Sequence, residues 1–265
     1  MARVYRARPS DAPAELEASY AVKLLREPWL DHPQALEMLR REAWVGSKLS
    51  HPHLVPVLAA NLNEPPYYVV MPCLVGQTVE QHLQAGEQFA LPVVMWIARQ
   101  VAEALEALHA IGWMHADIKP GNIFISPEGH VTLIDLGFAQ AVCNMPSLAE
   151  RPVLGTMSYI APEMLGSTLA ADIRSDIYSL GVTLFEMLAG RLPFQSDDAS
   201  ELAADHQQGV PTELRTLVPH LPTRAARLVR QMLAKEPLRR PQTPRELVNR
   251  LASLEIETFA DRATL

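Results

Sequence analysis

The chain has 265 residues, 48% of them hydrophobic and 20% charged, the profile of an ordinary soluble globular protein long enough for a sizeable core. A net charge of -7 with no basic block excludes the electrostatic footprint of a nucleic-acid or anionic-lipid binder. Cys73 and Cys143 are too few and too scattered for a disulfide framework or a zinc site, and no apolar stretch reaches the roughly 18 residues that span a bilayer. With no apolar core behind Arg3, Arg6 and Arg8, the N-terminus is not a secretory signal, so the default location is the cytoplasm.

In chain order, residues 4–8 and 19–25 read as strands separated by a Pro- and Asp-rich turn at 9–13. Asp31 is the candidate N-cap of a helix whose apolar face carries Ala35, Leu36, Leu39, Ala43 and Gly46. Residues 67–71 read as a strand. Val94, Ile97, Ala98, Val101, Leu105 and Leu108 form the stripe of a long amphipathic helix over 91–109, ended by Gly112. Residues 123–125 and 131–134 flank the turn Pro127-Glu128-Gly129 as a hairpin that puts Asn122 and Asp135 on neighbouring backbone. Helices follow over 175–189, closed by Gly190, over 223–234, and from a capping box at Thr243-Pro244-Arg245-Glu246; beyond Leu254 the sequence carries no signal.

The chemistry-bearing run is His115-Ala116-Asp117-Ile118-Lys119-Pro120-Gly121-Asn122, followed by Asp135-Leu136-Gly137. Phosphoryl transfer needs a carboxylate beside the attacking hydroxyl, a lysine at the moving group, and an amide oxygen with a second carboxylate on Mg²⁺. Asp117, Lys119, Asn122 and Asp135 supply these in that order. Singly, each has a bland reading: an Asp in a turn is usually a turn former and a lone His is usually packed core. Order along the chain changes this. Tyr20-Ala21-Val22-Lys23 lies upstream, and Gly155 to Glu163, Ser175-Asp176-Ile177-Tyr178-Ser179-Leu180-Gly181 and Leu238-Arg239-Arg240-Pro241 lie downstream. Together these segments resemble the protein kinase family, in its eukaryotic-like, bacterial serine/threonine form.

The resemblance implies an α+β, two-lobed fold. Residues 1–71 would form a small lobe of antiparallel sheet, truncated at its first strand, plus one helix; 72–75 a hinge; 76–254 a large, mostly helical lobe; and 255–265 a tail. It implies ATP and Mg²⁺ as cofactors. Asp117 would act as catalytic base, Lys119 would neutralise the transferred group, Asn122 and Asp135 would hold the metal, and Lys23, fixed by Glu42, would grip the inner phosphates. Val4, Ala21, Met71, Pro72, Leu74 and Phe124 would complete the nucleotide site, with the Pro72 carbonyl and the Leu74 amide on adenine. Thr156 would bond Asp117 and Lys119. Glu163 would pair with Arg240 as a buried strut, Asp176 would hold the catalytic loop by its backbone, and His115 and Leu136 would stack inside. The implied partners are a protein substrate with a Ser or Thr acceptor and a regulatory protein, with neither nucleic acid nor a membrane segment.

The departures carry their own expectations. No glycine precedes Gly46, so the family's glycine-rich phosphate loop has no counterpart; a misplaced or truncated start and a kinase that works without this lid are both open. Without the lid, ATP affinity is expected toward about 1 mM, and a pseudokinase acting as a binding module is the alternative function. A small-molecule phosphotransferase shares the His-x-Asp and Asn pattern, but the 156–163 segment and Arg240 argue against it. Ala116 and Gln140 stand where relatives carry basic residues that receive a phosphate, so phosphorylation at Ser147, Thr156 or Ser158 would have little to order.

Overall fold

The computed structural model describes residues 1–13, 17–142, 157–165 and 171–258. Cys143, Ser147, Gly155 and Thr156 lie outside the described residues. Strand β1 (Ala2–Ala7) pairs antiparallel with β2 (Tyr20–Leu25), β2 with β4 (Tyr68–Pro72), and β4 with the short β3 (Ala59–Asn61), giving the order β1-β2-β4-β3. Helix α1 (Pro33–Lys48) lays Ala35, Leu39 and Ala43 against this sheet, and they share a core with Leu25, Val55, Val57, Val69 and Met71. The approach is close at Gly46, where a Cβ would come within 2.6 Å of the Val57 side chain. Proline rather than Asp31 opens α1: Pro33 fixes its own φ and has no N–H to satisfy, and His32 at the N-cap makes no side-chain bond.

The segment after α1 is tied to the rest of the molecule by backbone. Val55 N–H donates to Leu133 O (3.1 Å) and Leu133 N–H to His53 O (2.9 Å). Leu54 and Val45 thereby belong to the larger core, which is built on the long α3 (Leu91–Ala110) and on α4 (Ile173–Ala189). β5 (Gln77–Thr78) and α2 (Val79–Gln84) precede α3, and β6 (Trp113–Met114), β7 (Ile123–Ile125), β8 (Val131–Leu133) and β9 (Gln140–Ala141) lie between α3 and α4, with β5-β7-β8 as one small sheet and β6-β9 as another. Helices α5 (Ala199–Gln208), α6 (Leu214–Leu217), α7 (Thr223–Met232) and α8 (Pro244–Glu257) complete the large lobe. Among the described residues no helix is long and apolar enough to cross a membrane.

Caps account for the differences from the sequence reading. Helix α4 starts two residues early because the Asp172 carboxylate accepts the Arg174 N–H (2.8 Å), and it ends where Gly190 turns left-handed at φ 68°. The Thr243 hydroxyl does accept the Glu246 N–H (3.1 Å), but the Glu246 carboxylate reaches the Gln242 N–H (2.8 Å), one residue before the reciprocal position of a capping box. A complete box closes instead at Thr78 and Gln81. Helix α7 stops at Met232, two residues short of the expected end, and α8 runs on to Glu257 with Leu254 and Thr258 buried.

One strut crosses the large lobe. Arg240 grips Glu163 through two bonds (2.6 and 2.8 Å), with both side chains excluded from solvent, and also donates to the carbonyls of Arg174, Ala234 and Lys235. Arg240→Ala strands a buried carboxylate, so it is expected to lower the unfolding free energy by about 3 to 5 kcal/mol, measured as a displaced midpoint in urea.

Candidate active site

The run His115–Asn122 follows directly on β6, and the pairing of β6 with β9 fixes its start: Met114 is opposite Gln140. Asp176, near the start of α4, accepts the N–H of His115 (2.7 Å) and of Ala116 (2.8 Å). That grip holds Ala116 at φ 65°, a left-handed conformation that costs an L-residue roughly 1–2 kcal/mol. His115 is fully buried, and burial lowers its pKa, so the ring is neutral. Its contacts define the tautomer: Nδ1 accepts the Asp117 N–H (3.3 Å) and Nε2–H donates to Ile134 O (3.2 Å). The two halves of the site are thus joined through one imidazole.

Asp117 is 5% exposed and closely held. The Asn122 amide donates to both the Asp117 carbonyl and Oδ2 (2.8 Å each), and Lys119 Nζ stands 2.8 Å from the same Oδ2. With both its N–H groups spent, Asn122 keeps Oδ1 as its remaining polar atom. Backbone sets Asp135 beside it: the Ile134 N–H donates to Asn122 O (2.9 Å), and Asp135 itself adopts φ 61°, its carboxylate accepting the Gly137 N–H (3.3 Å).

From the small lobe, the register Lys23↔Val69 and Val4↔Lys23 aims Lys23 at the same place. Its Nζ lies 2.7 Å from Glu42 Oε2 and 2.9 Å from Asp135 Oδ1, uniting β2, α1 and the turn after β8. Desolvation pulls the lysine pKa down, but Glu42 and then Asp135 outweigh it, so Lys23 is charged at all ordinary pH values. Desolvation pushes the Glu42 carboxyl up to about 6, only partly opposed by Lys23. Asp135 goes the other way: desolvation would raise it, but the Lys23 charge and hydrogen bond hold it below the usual aspartate range.

These groups border a cavity of about 500 Å³ between the lobes. Val4, Ala21, Lys23, Glu42, Met71, Pro72, Leu74, Asn122, Phe124 and Asp135 all line it, while Asp117 and Lys119 lie outside its wall. Tyr5, Arg6, Val55, Cys73, Gly121 and Ile134, which sequence reasoning did not assign to the nucleotide site, line it too. Gly121 and Ile134 were within reach, since each adjoins a metal-ligand candidate in the chain. Val55 was not, because only the pinning of its segment on β8 brings it there. At the hinge the Cys73 N–H donates to Ser19 O (2.9 Å).

Ala116 and Gln140, where the family pattern has basic residues, are neutral. Gln140 is 4% exposed, its amide nitrogen reaches only the Met114 sulfur (3.7 Å), and its Oε1 has no partner among the described residues.

A small antiparallel lobe with one helix, a helical lobe, and an ion-linked cleft between them define a two-lobed phosphotransferase architecture. The family model described as "Protein kinase domain" matches residues 2–251, and the chain belongs to that family. It is similar to serine/threonine-protein kinase PrkC of Bacillus subtilis, 31% identical over 88% of this chain and 36% of the relative. It is also similar to serine/threonine-protein kinase PknA of Mycobacterium tuberculosis, 35% identical over 83% of this chain and 51% of the relative. The chain therefore spans between about a third and a half of the length of these relatives.

Asp176 satisfies two buried N–H groups, and leaving a buried donor unpaired costs about 1 to 3 kcal/mol. Asp176→Ala is expected to lose about that amount for each donor and to release Ala116 from its left-handed turn. Denaturant unfolding, with amide exchange at His115 and Ala116, measures both.

Proposed function

We propose that the chain transfers the γ-phosphoryl group of ATP to Ser or Thr hydroxyls of a protein substrate, the activity that its relatives' names state. The supporting observation is the convergence of two ion-linked sets, Lys23 with Glu42 and Asp135, and Asp117 with Lys119 and Asn122, on one cleft. In this reading adenine lies against Ala21, Met71 and Phe124 and bonds the Pro72 carbonyl and the Leu74 N–H. The absence of an N–H on Pro72 costs nothing there, because only its carbonyl is used.

With Asp117 Oδ2 occupied by Asn122 and Lys119, Oδ1 orients the acceptor hydroxyl and takes its proton. Lys119 neutralises the moving phosphoryl group, and Lys23 leaves Asp135 partly free when it turns to the inner phosphates. Mg²⁺ fits the donors present: Asn122 Oδ1 and the Asp135 carboxylate are hard oxygens, too few for a closed cage, which suits an ion that keeps waters and phosphates as ligands. When bound, it supplies the positive charge that phosphoryl transfer requires. The neutral side chains at Ala116 and Gln140 support control by lobe closure or a regulatory partner rather than by an activation-segment phosphate. Two scattered cysteines suit work in the cytoplasm.

Asp135→Asn keeps the fold and is expected to abolish phosphate incorporation into a generic protein acceptor; wild-type turnover by the folded variant would sink this mechanism. A second expectation concerns pH. Lys23 is held in place by an ionised Glu42, so the rate is expected to fall as pH drops through about 6. Glu42→Gln is expected to be slow even at pH 8 and to lack that acid limb. Because the folded pKa of Glu42 lies above its unfolded value near about 4.3, this group favours folding at low pH and loses that contribution as pH rises through about 6. The glutamine variant should therefore melt no lower than wild type at pH 8 while losing activity.

A further inference from the structure

Helix α1 carries a large aromatic side chain that the cleft does not use. Trp44 is 45% exposed, yet its ring lies on Trp113 of β6, with ring centroids 4.7 Å apart and planes 28° from parallel. Stacked rings at such a spacing attract beyond the area they bury. Trp113 is itself packed against the large core. Among the described residues this is the ring contact that crosses from α1 to the large lobe. Ala35, Leu39 and Ala43 fasten α1 to the small-lobe sheet and so fix nothing relative to the large lobe. Val45 does reach the large core, but an aliphatic contact has no preferred direction, whereas stacked rings do.

The position of the stack bears on the ion-linked cleft. Trp44 follows Glu42 by two residues, and side chains two apart on an α-helix point about 200° apart, to opposite sides. One side of α1 is therefore held by the Glu42–Lys23 pair (2.7 Å) and the other by the two indoles. Turning the helix about its axis breaks one contact or the other. Both contacts end beside the turn that carries Asp135. Lys23 reaches Asp135 directly at 2.9 Å. Trp113 lies opposite Ala141 in the β6–β9 pair, and the Val142 N–H extends that pairing to Gly112 O (3.0 Å). In kinases the lysine–glutamate pair must be in place for transfer, and the position of the helix controls it, commonly through an activation-segment phosphate. Two indoles stack without any phosphate, in keeping with the neutral residues Ala116 and Gln140.

We propose that Trp44 is a positioning residue for phosphoryl transfer: stacked on Trp113, it sets the rotation of α1 that brings Glu42 to Lys23. The inference rests on the kinase reading above and deepens it, naming a phosphate-independent brace for α1. Loss of the stack weakens the hold of Lys23 on the inner phosphates and leaves the adenine wall of Ala21, Met71 and Leu74 intact.

The test separates phosphate recognition from adenine recognition. By calorimetry, Trp44→Ala is expected to bind ATP with Mg²⁺ several-fold more weakly than wild type and adenosine equally well, and Trp44→Phe to bind both as wild type does. Trp113→Ala is expected to give the same loss, and the double alanine variant no further loss, since either change removes the whole contact. Amide hydrogen exchange reports the brace without nucleotide: exchange at Glu42 and Ala43 should quicken in Trp44→Ala, while exchange at Lys23 and Val69 in the sheet stays as in wild type. A Trp44→Ala protein with the wild-type ratio of ATP to adenosine affinity, or with unchanged exchange in α1, overturns the proposal. Equal weakening of both ligands, the mark of a general loss of packing, also overturns it, as does a Trp44→Phe protein no better than Trp44→Ala. If an alanine variant unfolds, Trp44→Leu or Trp113→Leu, which keeps apolar bulk without a ring, takes its place and is judged by the same outcomes. A wild-type chain that binds no ATP counts against the kinase reading alone, and the exchange pattern then decides the role of Trp44.

Discussion

The contact of Lys23 with Glu42 and Asp135 is the constraint on which the cleft depends. Three segments meet at one ammonium group: a strand, a helix and a turn more than a hundred residues downstream in sequence, at 2.7 and 2.9 Å. Such a site is not kept for stability, because desolvating a carboxylate often costs as much as its ion pair returns. Glu42 shows this, its carboxyl pushed up to about 6 by desolvation despite the lysine beside it. What the contact provides is position. Lys23 can reach Asp135 only if β2 keeps its register on β4, and Glu42 can reach Lys23 only if α1 lies flat on the sheet.

The large lobe meets the same demand with backbone. Asp176 holds two N–H groups, His115 spends both ring nitrogens between Asp117 and Ile134, and the Ile134 N–H is bonded to Asn122 O. Main-chain hydrogen bonds hold a loop more narrowly than long side chains do, since fewer rotatable bonds lie between the anchor and the group that is placed. The left-handed turns at Ala116 and Asp135 are local strain paid for by this over-determined surround. Glu163 and Arg240 do the corresponding work for the segment 157–165.

Two positions at which the sequence departs from the kinase pattern, Ala116 and Gln140, are both buried and neutral. Ala116 carries no side chain that can reach an anion, and the side-chain oxygen of buried Gln140 has no partner among the described residues. On α1, Arg40 reaches the Leu62 carbonyl at 3.4 Å, and Arg41 stands 4.0 Å from Glu37.

The sequence by itself determined the family, because phosphoryl transfer needs particular residue types in a particular order and those types survive as short runs around Lys23, Asp117 and Asp135. It also determined the main helices, since an apolar stripe such as Val94 to Leu108 has one stable use. Helix ends were less legible: Asp31 looked like a cap but Pro33 did the work, and the Thr243 box closed on Gln242, because a cap depends on backbone geometry a few residues away. Only the tertiary structure decided the tautomer of His115, the elevated pKa of Glu42 and the place of Val55 in the cavity wall. Each of these depends on desolvation and on partners brought from distant parts of the chain, and neither can be read from residue order alone.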